Sequence, residues 1–192
     1  SQTNISCNGG STGSLTVTAT NGDSNYSYVW TKNSTTIASS SGSTSNSNTI
    51  SGLTAGTYQV TITDSNGCTT TASATVTEPT TLNVTPASQT NIACNGGATG
   101  AATVNAATGG AGGYTYNWTP GNPTGDGTTS VSGLSAGTWT CTVTDNNGCT
   151  DAQSFTITQP ANILSANALA GNVSCNGGNN GTVDLTVTGG TA

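Results

Sequence analysis

The chain has 192 residues, of which only 4% are charged; one Lys, seven acidic side chains and no His give a net charge of −6. With a single basic residue it cannot displace the counterions of a phosphate backbone, which excludes nucleic acid, and a polybasic membrane contact fails for the same reason. Thr, Ser, Gly and Asn dominate without a Gly-x-y period, and short apolar runs alternate with Thr, so an all-β protein is expected rather than a disordered or collagen-like one.

No apolar run approaches the roughly 20 residues of a membrane helix, so no membrane insertion is expected in this window. The sequence repeats itself. ISCNGGSTGSLTVTAT from Ile5 returns as IACNGGATGAATVNAA from Ile92 and as VSCNGGNNGTVDLTVT from Val173. SGLTAGTYQVTITDSNGC, ending at Cys68, returns as SGLSAGTWTCTVTDNNGC, ending at Cys149. A Thr-rich run follows each, closing on Glu78-Pro79 or Gln159-Pro160. These blocks divide the chain into repeat one (1–79, lacking the start of its first strand), repeat two (80–160) and the opening strands of a third (161–192). The window therefore reads as part of a longer array. Cys68 to Cys94 and Cys149 to Cys175 are both 26 residues, whereas Cys7 to Cys68 is 61 and Cys94 to Cys149 is 55. The junction is constant and the repeat interior is not, which predicts a rigid junction and variable internal loops.

Period-two alternation gives seven strands per repeat, lettered A to G. A runs from Leu82 to about Ala93. B carries Leu15, Val17 and Ala19 on one face. C turns Tyr26, Tyr28 and Trp30 inward, with Tyr114, Tyr116 and Trp118 as counterparts. A short D is expected near Thr35 to Ala38. E holds Ile50 and Leu53, matched by Val131 and Leu134. F holds Tyr58, Val60 and Ile62, matched by Trp139, Cys141 and Val143. G holds Ala74 and Val76, matched by Phe155 and Ile157. Asp-Ser-Asn-Gly67 and Asp-Asn-Asn-Gly148 are hairpin turns between F and G. Seven short strands with an aromatic on C describe an immunoglobulin-like β-sandwich, so the expected fold is all-β, tandem seven-stranded sandwiches in a rod-like array. Trp30, Trp118, Tyr58 and Trp139 are the expected core aromatics, and Tyr58 sits where a tyrosine corner would. Gly9, Gly10 and Gly13 recur at the same spacing, as a tight turn with positive φ would require. A phosphate cradle needs a following helix, and a strand follows here.

The chemistry of catalysis is missing. There is no His to act as base, the lone Lys32 does not recur, and the seven acids form no convincing pair, so no catalytic, cofactor-binding or metal-binding residues are expected. Asp64 and Asp145 offer one carboxylate per turn. Side-chain capping of the hairpin explains them better than calcium.

Six cysteines remain: Cys7, Cys68, Cys94, Cys141, Cys149 and Cys175. Without His, and at these spacings, disulfides in an oxidising compartment fit better than zinc. In a sandwich of this kind Cys94, just before B, and Cys149, just after the F–G turn, lie at opposite poles of one repeat. Cα atoms more than ~7 Å apart cannot be bridged. A head-to-tail array instead brings the CNGG pole of one repeat to the F–G pole of the next. The expected bond is therefore Cys7–Cys149, between repeats, with Cys68, Cys94 and Cys175 paired outside the window. An unusual strand order would restore Cys7–Cys68 and Cys94–Cys149. Cys141 aligns with Val60, faces Ala102 and Val104 rather than a Cys, and is expected as a free buried thiol.

The CNGG…G segments at Cys7, Cys94 and Cys175, the Y-x-Y-x-W strand, the GL-x-AGT-[Y/W] turn and the T-D-x-NGC hairpin resemble the SprB-type repeat of giant adhesins from gliding Bacteroidota. The resemblance covers nearly the whole window and carries no catalytic residues. It implies export to the cell surface by the type IX route and a place in a long filamentous adhesin. Cys141 in place of Val60, and the lack of a Lys32 counterpart in repeat two, depart from the repeat's own pattern. The expected role is a structural stalk, extracellular and on the cell surface, whose partners are neighbouring repeats of the same chain. A glycan-binding module on surface polysaccharide and a filament subunit docking on other copies are the rivals. The region from Lys32 to Asn48, and from Pro120 to Thr129, lacks the aromatics that sugar sites stack on, which favours the stalk.

Overall fold

A computed structural model describes residues 1–190. The strands of repeat one are β1 (Gln2–Thr3), β2 (Gly13–Thr18), β3 (Tyr26–Lys32), β4 (Thr35–Ser43), β5 (Ser47–Leu53), β6 (Gly56–Thr63) and β7 (Thr69–Val76). They form two antiparallel sheets, β1-β2-β5 and β4-β3-β6-β7. Tyr28, Trp30, Tyr58, Val60, Leu15 and Val76 are buried in the core between them. The alternation that named the strands is what buries them, because every second side chain of a strand points to one face. Repeat one is an immunoglobulin-like sandwich.

Repeat two contributes β8 (Pro86–Thr90), β9 (Gly100–Val104), β10 (Thr115–Thr119), β11 (Ser130–Leu134), β12 (Gly137–Thr144) and β13 (Thr150–Ile157). Its sheets are β8-β9-β11 and β10-β12-β13. Trp118, Leu134, Cys141, Val143 and Ile157 are fully buried. The third repeat is represented by β14 (Ser165–Gly171) and β15 (Thr182–Thr188), an antiparallel pair in register from Ser165↔Thr188 to Gly171↔Thr182.

The compact units cut across the sequence repeats. One comprises Ser1–Asn83 together with Thr108–Gly113 and Thr144–Thr150; the other comprises Val84–Ala107, Tyr114–Val143 and the residues from Asp151 onward. The B–C loop and the F–G turn of repeat two thus belong to the same unit as repeat one.

The structure corrects four expectations. The segment read as a short D near Thr35 to Ala38 is a nine-residue strand, β4, running on to Ser43 and pairing with β3. Its Thr/Ser run has no Pro, so it can zip along the edge of β3. In repeat two the same place is taken by a loop holding Pro120 and Pro123, which lack a donor for a ladder, and the isolated bridge that this loop forms, Thr124↔Ser132, is to β11 in the other sheet. Asp126 serves the bare edge of β10 instead, its Oδ1 accepting from the Trp118 amide at 2.8 Å. Second, Trp139 is half-buried, not a core residue, although Tyr58 at the equivalent place is 2% exposed. Lys32 lies over the Tyr58 ring, 5.1 Å from its centroid, and repeat two has Pro120 where that Lys stands. Both rings nevertheless make the same corner: Tyr58 Oη donates to Thr54 O at 2.7 Å and Trp139 Nε1 to Ser135 O at 3.0 Å. Third, Tyr114 precedes β10, and it and Tyr116 are half-buried, whereas Tyr26 and Tyr28 are buried. The fourth correction concerns the glycines and follows below.

Candidate functional site: the stapled CNGG turn

The CNGG turn closes on itself through Gly10 N, which donates to Cys7 O at 3.0 Å. Of its recurring glycines only Gly9 has positive φ, at 73°, matched by 76° at Gly96 and 80° at Gly177. The others are required by crowding rather than by backbone conformation. A Cβ on Gly10 would lie 2.9 Å from Cys7 O, and one on Gly13 would lie 2.7 Å from Val76 Cγ1.

The turn is latched to the end of its own repeat. Gly9 N donates to Glu78 Oε2 at 2.7 Å and Asn8 Nδ2 to Pro79 O at 3.0 Å. Ile5 N bonds Thr77 O at 2.9 Å. Repeat two reproduces the latch: Gly96 N to Gln159 Oε1 at 2.9 Å, Asn95 Nδ2 to Pro160 O at 2.7 Å, Ile92 N to Thr158 O at 2.9 Å. This gives the recurring Glu-Pro and Gln-Pro pairs a role. The side-chain oxygens of Glu78 and Gln159 and the backbone carbonyls of Pro79 and Pro160 accept from the turn, a function that spacing alone does not reveal.

The F–G turn of repeat two is built around Asp145, which is 5% exposed. Its Oδ1 accepts from Asn147 N and Cys149 N, both at 2.9 Å, and its Oδ2 from Ala111 N at 2.8 Å in the B–C loop. The Ala111 amide above all holds the carboxyl below its ordinary range. Burial opposes this, and the amides of Cys149, Asn147 and Gly148 assist it. Donors that favour the charged form lower an acid's pKa. Capping, the role expected for this Asp, is what the geometry shows. In repeat one Asp64 Oδ1 accepts from Asn66 N at 3.0 Å and Cys68 N at 2.8 Å.

These two turns meet. Cys7 and Cys149 form a disulfide with a Cα–Cα separation of 5.7 Å, closing 142 residues of sequence. Asn147 Nδ2 donates to Ser6 O at 2.8 Å beside it. The bond links the CNGG turn of repeat one to the F–G turn of repeat two. Cys68, Cys94 and Cys175 are exposed thiols, and Cys141 is a buried one. Burial, with help from the negative charge of Asp126, pushes the Cys141 thiol up to about 11. Among the described residues no three His, Cys, Asp or Glu side chains form a group that would hold a metal ion, and no helix is long and apolar enough to cross a membrane.

The SprB repeat family matches residues 1–35, 87–123 and 170–192. These are SprB repeats. Each matched stretch carries one CNGG turn. The SprB match supports an extracellular or surface repeat domain of structural or adhesin-like character. The chain is also similar to the decoration protein of Escherichia phage T5, at 47% identity over 51 residues, 27% of this chain and 31% of that protein. Among solved structures it resembles the C-terminal fragment of intimin crystallised with the intimin-binding domain of Tir (20% identity, 88% of this chain, 66% of that one, TM-score 0.42). It also resembles the three N-terminal domains of the outer capsid protein Hoc of bacteriophage RB49 (17% identity, 95% and 66%, TM-score 0.40). The chain spans about two thirds of each of those structures and the match covers under a third of the decoration protein.

Proposed function

We propose that these SprB repeats are stalk elements of a long cell-surface adhesin or filament, extending and stiffening it, and that they perform no catalysis. The observation that carries the reading is the Cys7–Cys149 bond. Tension applied at the two ends of the chain enters before Cys7, crosses the disulfide and leaves after Cys149. Every strand of the two sandwiches except β1 and β13 lies inside the closed loop and is bypassed by a covalent path. Hydrogen-bonded sheets alone would carry that load at a finite unfolding barrier. A binding module has no need of such a path, whereas a stalk under traction does. The latch of each CNGG turn on its own Glu-Pro or Gln-Pro supports the reading, since it fixes where each repeat ends. By resemblance, gliding motility and type IX export are the setting we propose. Neighbouring repeats are the proposed partners.

Single-molecule stretching between the termini tests this. The 142-residue loop stores about 500 Å of contour length at ~3.5 Å per residue. Oxidised protein is expected to withhold that extension, and reduced protein to release it in steps as the sandwiches unfold. Equal extension in both states would overturn the load-bearing role.

A further inference from the structure

One pole of repeat one carries an open cavity of about 420 Å³ between the end of β2 and the start of β7, lined by Val17, Gly22, Tyr26, Asp64, Cys68 and Thr70 among others. Repeat two shows what fills the equivalent place. There the segment leaving repeat one runs extended along the B–C side. Asn83 and Thr108 exchange backbone bonds at 2.9 and 3.0 Å, and Gly110 N donates to Thr80 O at 2.9 Å. Val84 N donates to Asp151 Oδ2 at 2.7 Å, and Asp151 occupies the position of Thr70 in repeat one. Leu82 and Val84, which carry the apolar side chains of this segment, are 8% and 5% exposed. The consequence is visible in the lining. Val104 and Asp145 are 2% and 5% exposed, while their counterparts Val17 and Asp64 are only half-buried.

The cysteine beside the cavity is held the same way in both repeats. Cys68 N donates to Asp64 Oδ1 at 2.8 Å, as Cys149 N does to Asp145 Oδ1 at 2.9 Å. Gly67 N donates to Asp64 O at 3.1 Å, as Gly148 N does to Asp145 O at 3.0 Å. Cys149 is bonded to a CNGG cysteine, and Cys68 is an exposed thiol.

We infer that this pole of repeat one is a docking site for the exit segment of a preceding SprB repeat, an extended Leu-x-Val strand, whose CNGG cysteine forms a disulfide with Cys68. The inference rests on the stalk reading and names its partner. The apolar side chains fill the cavity, and the strand amides pair with the B–C loop and with β7. The covalent step joins two thiols. Two protons and two electrons leave, and a disulfide oxidant such as oxidised glutathione accepts them and departs as two thiols.

The test fuses a second copy of residues 1–87 ahead of Ser1, because Ser1 stands where Ser88 stands in the repeat; that copy carries Cys68→Ser, so that one Cys68 remains, and Ser6→Ala, the residue repeat two has at Ala93, so that its Cys7 peptide is told apart by mass. After folding in a glutathione buffer, non-reducing digestion is expected to yield Cys7–Cys149 and, in addition, the copy's Cys7 joined to Cys68, with Cys68 lost to maleimide labelling. Recovery of Cys7–Cys149 with Cys68 still labelled as in the parent chain would overturn the docking site and leave the stalk intact. Loss of Cys7–Cys149 as well would overturn both. A readout independent of the bond is amide exchange in the fusion carrying Cys68→Ser in the original copy as well. Slowing at Thr20 to Gly22 of the original copy is expected, and unchanged exchange there refutes docking. A covalent dimer of the unfused chain through Cys68 and Cys94 would make a second molecule the occupant and refute a preceding repeat.

Discussion

Two tryptophans, Trp118 on β10 and Trp139 on β12, occupy neighbouring strands of one sheet of repeat two, and the structure assigns them very different weights. Trp118 is fully buried, its ring centroid 5.7 Å from that of Phe155, and its Nε1 donates to Thr128 O at 2.9 Å. Trp118→Ala removes a buried indole and leaves the Thr128 carbonyl without its donor. Core deletions of this size cost about 3–5 kcal/mol. Trp139 is half-buried, and its bond to Ser135 O is exposed. Trp139→Ala is expected to cost about 1 kcal/mol, the net worth of one accessible bond with some packing. The gap of about 2–4 kcal/mol corresponds to roughly 1–2 M in urea midpoint at ordinary slopes. Urea unfolding followed by circular dichroism, with the disulfide intact in all variants, measures it. Midpoints that agree within experimental error, or a larger loss at Trp139, would refute the assignment of Trp118 to the core and Trp139 to its margin.

Three further outcomes are expected. At pH 8 iodoacetamide modifies Cys68, Cys94 and Cys175 well before Cys141. A shift from 9.0 to about 11 leaves ~100-fold less thiolate even before access is counted. Asp145 has a folded pKa below its ordinary value of 3.8. Its contribution to stability is therefore complete above that value and is lost as pH falls through the lower, folded one. The melting temperature is expected to drop over that acid window, and Asp145→Asn to be less stable at neutral pH and flatter below it. Gly100→Ala would place a Cβ 2.6 Å from Ile157 Cγ2 and 2.9 Å from Leu134 O. Overpacking of that kind costs ~1–3 kcal/mol, which thermal unfolding would show.

The parts of the fold legible in the sequence were those governed by alternation and by register. Tyr26, Tyr28 and Trp30 announce β3 because a strand with one buried face repeats every second residue. The Cys7–Cys149 pairing was legible because strand direction places the CNGG and F–G turns at opposite poles, whatever the side chains around them. What was hidden depended on neighbours that no period encodes. The extent of β4 along β3 is set by whether the segment after β3 contains proline, as at Pro120 and Pro123 of repeat two. The burial of Tyr58 but not Trp139 turns on Lys32, which repeat two lacks. The glycines looked like a set and act differently: Gly9 supplies positive φ, whereas Gly13 makes room for Val76. Glu78 and Gln159 recur in plain sight, yet only the folded chain brings their oxygens to Gly9 and Gly96.

The central claim is that covalent continuity runs from the CNGG turn of one SprB repeat to the F–G turn of the next. Non-reducing digestion of the folded chain followed by mass spectrometry measures it most directly. A peptide joining Cys7 to Cys149 is the predicted result. A peptide joining Cys7 to Cys68, or Cys94 to Cys149, would contradict it.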